Sequence, residues 1–291
     1  MTDVKIVLDN SSDMPEELME KYDFGMVKFL SIFGEETFVQ GENMTNDEFY
    51  DKLEESPVIP TTSQTPYAEM YDYFSKLARE HKSVIYFTIS AKGSGQNHTM
   101  HLVRDEILED NPQADIHIVD SEKFSLYIAN AAVEAAKAAE ENKSVEEIID
   151  IFKAEIKKWR CYLLADTLKY LEKGGRVSRA TAFVGGLLDI KPILTIENGL
   201  VEGMDKLRGN KRLIDKMIDK IKDDESFDSE NPEFLVVQSD EKRGEKVLEK
   251  LREEFGENCI RMYSQFGPIV GTHVGRGAFA IICKIKDVQE D

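Results

Sequence analysis

From residue 4 to about residue 157 short apolar runs alternate with amphipathic stretches, and that alternation is what most limits the fold. Residues 4–8, 84–88 and 116–119 read as buried strands. Helix starts fall between them. Asp13-Met14-Pro15-Glu16 offers an aspartate cap with proline in the first turn, where a missing N–H costs nothing. Thr45-Asn46-Asp47-Glu48 is a capping box, and Ser144-Val145-Glu146-Glu147 caps a later helix. Thr65-Pro66 opens another, with Met70, Tyr73, Phe74 and Leu77 as its apolar stripe. An alanine-rich helix follows Asp120-Ser121 and runs to about Glu141. Such alternation predicts a mostly parallel sheet flanked by helices.

Beyond residue 158 the pattern changes. Residues 162–165 fit a strand, and Glu197-Asn198-Gly199 reads as the turn of a hairpin. Helices are expected at 211–222 and 244–255, around a strand at 234–238, with a last strand at 278–285. The expectation is therefore an α/β protein of two domains. Residues 1–158 form an N-terminal α/β domain, and 159–291 form a C-terminal α+β domain with a mixed sheet.

Charge and cysteine content narrow the function classes. A net charge of −19 argues against a general nucleic-acid role, which needs a basic surface. Between Lys157 and Arg212, however, 12 Lys/Arg face 6 Asp/Glu, a local excess of +6. That excess is either scattered solvated charge or a basic face for an acidic or phosphate-bearing partner. Cys161, Cys259 and Cys283 are odd in number and include no C-x-x-C pair, which speaks against a disulfide framework and a zinc site. With no secretory leader read at the N-terminus and no apolar run of membrane-spanning length, a reducing cytoplasm is the expected home.

Three glycine-punctuated segments carry small polar donors: Pro60-Thr61-Thr62-Ser63-Gln64, Ser90-Ala91-Lys92-Gly93-Ser94-Gly95 and Gly271-Thr272-His273-Val274-Gly275. Each lies beside a strand end, where α/β proteins place ligands. Hydroxyls and an imidazole can donate several hydrogen bonds to one small anion, such as a carboxylate or phosphate. The plainer reading of Thr61–Ser63 is a helix cap, which explains one hydroxyl rather than three. Ser94 between glycines is ordinary turn chemistry when taken alone. Four glycines in residues 267–277 suggest a loop wrapped around something, although a lone His273 is more often a satisfied polar group. Ser94 and His273 could also be nucleophile and base of an acyl hydrolase. Against that, Gly93-Ser94-Gly95 is not a G-x-S-x-G elbow, and Asp120 and Asp166 are candidate orienting groups only by being present. His98 and His101 lack a nearby third ligand for a metal.

Gly174-Gly175 ends a helix and puts Arg176 on a turn, and Lys206-Leu207-Arg208-Gly209 reads as a second basic turn. The apolar run from 182 to 194 is either core or the wall of a long cavity. In the second case Phe183, Leu187, Leu188 and Ile193 are the candidate lining.

Pro-x-Thr-Ser-Gln at 60–64, Ser-x-x-x-Ser-Gly at 90–95 and Val-Asp-Ser at 119–121 recur in a known order with three further motifs. These are Leu-x-Lys-Gly-Gly-Arg-x-Ser at 171–178, Lys-Pro-Ile-Leu at 191–194 and Gly-Pro-x-x-Gly-Thr-His-x-Gly at 267–275. Together they resemble the DegV family from residue 4 to about 285. The resemblance implies a two-domain protein with a long-chain fatty acid between the domains, acting as the FakB-like component of a bacterial fatty acid kinase. An ATP-dependent FakA-like partner would phosphorylate the bound carboxylate to an acyl-phosphate for phospholipid synthesis.

Carried over by position, Thr62, Ser63, Ser94 and His273 would hold the carboxylate, with Thr61, Gly95 and Thr272 as further pocket candidates. Arg176 would meet the kinase, with Lys206 and Arg208 on the same face. No cofactor of its own, no nucleic acid and no more than transient membrane contact are implied. The chain has no G-x-x-x-x-G-K-[ST] loop and no evident Mg²⁺ carboxylate cluster, as expected when catalysis belongs to the partner. The chain departs from the family pattern at Asn10, usually serine, at Gly93, commonly leucine, and at Arg276, usually proline.

Overall fold

The apolar run that begins at Val4 forms β1 (Val4–Asp9), followed by α1 (Glu16–Lys21), β2 (Gly25–Val27), β3 (Leu30–Phe33) and β4 (Glu36–Val39). Next come α2 (Asn46–Glu55), β5 (Thr61–Ser63), α3 (Tyr67–Glu80), β6 (Ser83–Thr88) and α4 (Gln96–Asp110). The first half closes with β7 (Ile116–Asp120), α5 (Leu126–Glu140) and α6 (Val145–Lys157). The structure is a computed structural model and describes residues 3–178, 190–209 and 211–286.

Of these residues, 3–44 and 61–157 form one compact unit, while 45–60 and 158–286 form a second. Beside the boundary expected near residue 158 there is thus an excursion at 45–60. Its cause is α2, which carries the fully buried rings of Phe49 and Tyr50 into the second unit, where the Tyr50 hydroxyl donates to the Phe266 carbonyl at 2.8 Å.

In the first unit the sheet order is β2-β1-β6-β7, and every pairing is parallel. The expected parallel sheet is therefore present. The chain goes from β1 to β2 on one side and from β6 to β7 on the other, so strand order reverses between β1 and β6, the position where open α/β sheets bind ligands. Alanine-rich α5 is buried along most of its length, since only a small side chain lets a helix sit flush on a sheet, and α6 adds Phe152, stacked 3.7 Å from Phe87. Capping boxes form as expected at Thr45–Glu48 and at Ser144–Glu147.

Two other expected caps do not form. Pro15 and Pro66 occupy the N-cap positions of α1 and α3 without any side-chain cap bond. Asp13 instead accepts from the Ser125 hydroxyl, and the Thr65 hydroxyl donates to the Lys28 carbonyl at 2.8 Å. A small antiparallel sheet, β4-β3-β5, was not legible as strands because its segments are three or four residues long.

The second unit contains β8 (Trp159–Leu164), α7 (Lys169–Gly174), β9 (Val177–Ser178), β10 (Ile190–Glu197) and β11 (Leu200–Arg208). They are followed by α8 (Leu213–Lys222), β12 (Phe234–Gln238), α9 (Glu241–Phe255), β13 (Ile260–Gln265), α10 (Pro268–Val274) and β14 (Phe279–Lys284). The seven strands form one mixed sheet in the order β13-β12-β14-β8-β10-β11-β9. The Asn-Gly hairpin is as expected: Asn198 at φ 49° and Gly199 at φ 74° turn β10 into β11. Ile193, fully buried, packs with Tyr162, Leu164 and Leu207 in the apolar core of this unit. All three cysteines are buried thiols.

Asn10 shows how tightly the first unit is tied. Its side chain accepts from Phe29 N–H at 2.9 Å and donates to the Phe29 carbonyl at 3.3 Å. Replacing Asn10 with Ala leaves both backbone groups buried without that partner, and is expected to cost about 1–3 kcal/mol in urea unfolding. An unchanged midpoint would show that this clamp carries no stability.

Candidate functional site

The polar residues at the carboxyl ends of β1 and β6 form the base of the first unit's candidate site. Asp9 is completely buried and accepts from Ser11 N–H at 3.2 Å, Tyr86 Oη at 3.2 Å and Ile89 N–H at 2.9 Å, and also from the Ser11 hydroxyl. Burial raises its pKa, and these donors act in the opposite direction. The exit of β6 is held there, and Ser90 begins a turn in which its carbonyl accepts from Gly93 N–H at 2.9 Å and Ser94 N–H at 3.1 Å.

Ser94 lies at the start of α4, where its hydroxyl oxygen accepts from Gln96 N–H at 3.2 Å. The hydroxyl retains its own proton to donate. Gly95 is the N-cap of this helix and supplies no side-chain cap, so the positive end of the helix dipole lies beside Ser94. Gln64 lies across this start, its Nε2 donating to Thr99 Oγ1 at 2.9 Å and its Oε1 3.0 Å from where a Gly95 Cβ would stand. The segments 60–64 and 90–95, distant in sequence, thus meet through Gln64.

Thr61, Thr62 and Ser63 form β5 and not a helix cap. Side chains alternate along a strand, so Thr62 and Ser63 leave opposite faces. Thr62 pairs with Ser31 and Ser63 with Leu30, while Thr61 is exposed. The Ser63 hydroxyl donates to the Gln64 carbonyl at 3.2 Å.

Gly93 has a local cause. A Cβ on it would lie 2.5 Å from the Phe124 ring, so the phenyl occupies the space a larger residue would take. His98 is exposed on α4, and among the described residues no group of three or more His, Cys, Asp or Glu could hold a metal ion.

In the second unit the glycines of 267–277, expected to form a loop, surround the short helix α10. A side chain at Gly271 would strike Tyr50 and Phe49, and one at Gly275 would strike Tyr170. These glycines serve close packing. Thr272, a candidate pocket hydroxyl, is buried and donates to the Pro268 carbonyl at 2.7 Å within the helix. Arg276 pairs with Asp51 at 3.3 Å and Glu54 at 3.0 Å, which fixes it to α2.

His273 rests on Gly174, whose missing side chain makes room for the imidazole ring. The Gly174-Gly175 pair therefore has two separate causes. Gly175 provides the left-handed C-cap of α7 at φ 68°, as the sequence suggests, whereas Gly174 accommodates His273. The Arg176 guanidinium donates to the Gly174 carbonyl, which brings a cation beside the imidazole. Burial first, and this cation second, hold the His273 pKa down to about 4. The ring is neutral near pH 7 and carries one N–H donor.

Lys206 and Arg208 lie in β11 rather than on a turn; both are exposed and flank buried Leu207, so they share one face of the strand. Phe183, Leu187 and Leu188 lie outside the described residues.

The fold and these donors define a two-unit α/β protein whose motifs supply hydroxyl and imidazole groups without a metal-type cluster among the described residues. The family model described as "Uncharacterised protein, DegV family" matches residues 3–286. A DegV domain-containing protein of Clostridium perfringens is 33% identical over 272 residues, covering 94% of this chain and 95% of that one. The chain belongs to the DegV family. Among solved structures, DegV of Bacillus subtilis, described as a fatty acid binding protein, is 27% identical with a TM-score of 0.83, covering 98% of this chain and 100% of that one. A fatty acid binding DegV family protein of Streptococcus agalactiae is 25% identical with a TM-score of 0.84, covering 99% and 100%.

The His273 environment makes stability pH-dependent. In the unfolded chain an imidazole titrates near 6.5, but in the folded protein it takes up a proton only near 4. Its contribution is fully present above about pH 6.5 and is lost as the pH falls toward 4, because the unfolded state binds the proton first. His273→Gln is expected to lose less stability than wild type between pH 7 and 4.5 in urea titrations. Parallel losses would show that the imidazole is not held neutral.

Proposed function

We propose that this protein is a carrier that binds one long-chain fatty acid, holds its carboxylate by hydrogen bonds, and presents it to an ATP-dependent, FakA-like fatty acid kinase. The observation that carries this reading is the match over residues 3–286 to a family whose solved members at 25% and 27% identity are described as fatty acid binding. The chemistry of the residues supports it. A carboxylate leaving water needs donors, each charge-assisted bond contributing about 1.5–3 kcal/mol. Ser94 offers a hydroxyl proton at the start of α4, Thr62 a half-buried hydroxyl, and neutral His273 an N–H. Ser63 belongs to the same set, and its hydroxyl donates to the Gln64 carbonyl at 3.2 Å. Burial of the acyl chain supplies affinity at about 0.8 kcal/mol per methylene.

In this reading the protein performs no chemistry itself. Nucleotide, Mg²⁺ and phosphoryl transfer belong to the kinase, and the product is an acyl-phosphate for phospholipid synthesis. Arg176, with Lys206 and Arg208, is assigned to the face that meets the kinase, and the setting of the chain is cytoplasmic. Among the described residues no helix is long and apolar enough to cross a membrane. A hydrolase using Ser94 and His273 is disfavoured. A general base must become imidazolium, and burial beside the Arg176 cation opposes that charge.

Mass spectrometry of the purified protein, native and after organic extraction, tests the carrier reading. A non-covalent adduct of roughly 250–290 Da that extracts as a fatty acid is expected from burial of an apolar tail with a bound carboxylate. Thr62→Ala, Ser94→Ala and His273→Ala should each weaken uptake of added oleate about ten-fold or more, one charge-assisted bond apiece. A protein that is empty and takes up neither oleate nor palmitate overturns the reading. Arg208→Glu, at an exposed position, should keep fatty acid binding yet slow acyl-phosphate formation by a fatty acid kinase with ATP; unchanged kinetics would remove Arg208 from the docking face.

A further inference from the structure

We propose that Ser31, on β3, is an additional ligand of the acid head group, donating its hydroxyl beside Thr62; the assignment rests on the fatty-acid reading above. Ser31 and Thr62 are directly opposite in the antiparallel pairing of β3 with β5, so both side chains leave the same face. Cβ atoms in such pairs lie about 4.5–5.5 Å apart, within reach of the two oxygens of one carboxylate. The same face carries Phe33, two residues along β3, and Phe38, which pairs with Ser31 from β4. Those two rings meet edge to face at 5.9 Å.

Ser31 is 1% exposed, and its hydroxyl has no hydrogen-bond partner among the described residues. An unmet hydroxyl out of water is costly and rare, and the phenyl rings beside it offer no acceptor. Alanine would occupy the position without that cost. A carboxylate gives the serine its reason, since it accepts about four hydrogen bonds and Thr62 and Ser94 do not fill it. On this face a pair of hydroxyls borders two aromatic rings, which is the sequence of surfaces a polar head and the start of an apolar tail require.

The test compares wild type with Ser31→Ala and Ser31→Cys in binding of oleate and of methyl oleate, together with unfolding of lipid-free protein. Loss of one charge-assisted bond predicts about ten-fold weaker oleate binding by Ser31→Ala, with methyl oleate changed by about two-fold or less. Lipid-free Ser31→Ala should unfold at the same or higher denaturant, because it loses an unmet polar group. Oleate affinity equal to wild type, or equal losses for acid and ester, overturns the assignment. Should Ser31→Ala not fold, the acid-to-ester ratio of Ser31→Cys decides, since a thiol of similar size donates only weakly. Wild type that binds neither compound would instead overturn the fatty-acid reading itself, a result distinct from failure of Ser31 alone.

Discussion

A carboxylate with no access to water organises the first unit. Asp9 could not be tolerated at the end of β1 without partners, because an isolated buried charge costs several kcal/mol. Its partners come from the following turn, from the middle of β6 and from the residue just after β6. Satisfying this one side chain brings the exits of two adjacent strands together where the strand order reverses. The turn that presents Ser94 starts directly from that anchor. Asn10, next in the chain, extends the same tie to Phe29 and so to β3 and β5. A buried polar network thus ties together the strand exits and the turn that carry the hydroxyls proposed for the head group.

The second unit solves a different problem with glycine. Around α10 the absent side chains at Gly271, Gly275 and Gly174 are replaced by Tyr50, Tyr170 and His273. What looks in sequence like a flexible, glycine-rich loop is a densely filled contact. An imidazole seated on bare backbone is dehydrated, and the guanidinium of Arg176 adds to the cost of protonating it. Neutrality of this histidine is therefore built from packing as much as from charge.

Much of this was legible in the chain because long, periodic signals survive tertiary context. The parallel strands, the capping boxes at Thr45 and Ser144, the Asn-Gly hairpin and β12 at Phe234–Gln238 all lie where periodicity and turn chemistry put them. The family motifs were legible as well, and they carry the residues proposed for the site. What sequence could not show was how neighbours use one another. Thr65 and Asp13 look like caps, but other partners claim them. Gly174 looks like part of a helix stop, yet its cause lies about a hundred residues further on, at His273. The β3–β5 sheet is too short for a period to register, so Ser31 gave no signal. Ile193, buried in the apolar cluster of the second unit, illustrates the limit of apolar runs, since core and cavity wall read alike in sequence.

The excursion at residues 45–60 has a consequence for how the polypeptide is made. The rings of α2 are buried against residues near 266–271, more than two hundred positions later, and the Tyr50 hydroxyl bonds there across a separation of 216. During synthesis α2 leaves the ribosome long before that surface exists. The second unit must stay incomplete, with an amphipathic helix exposed, until residues near 270 have emerged. Its assembly is a late, long-range event, whereas the first unit has all its strands once residue 120 is made. A nascent chain of this design offers chaperones a defined window and a defined target.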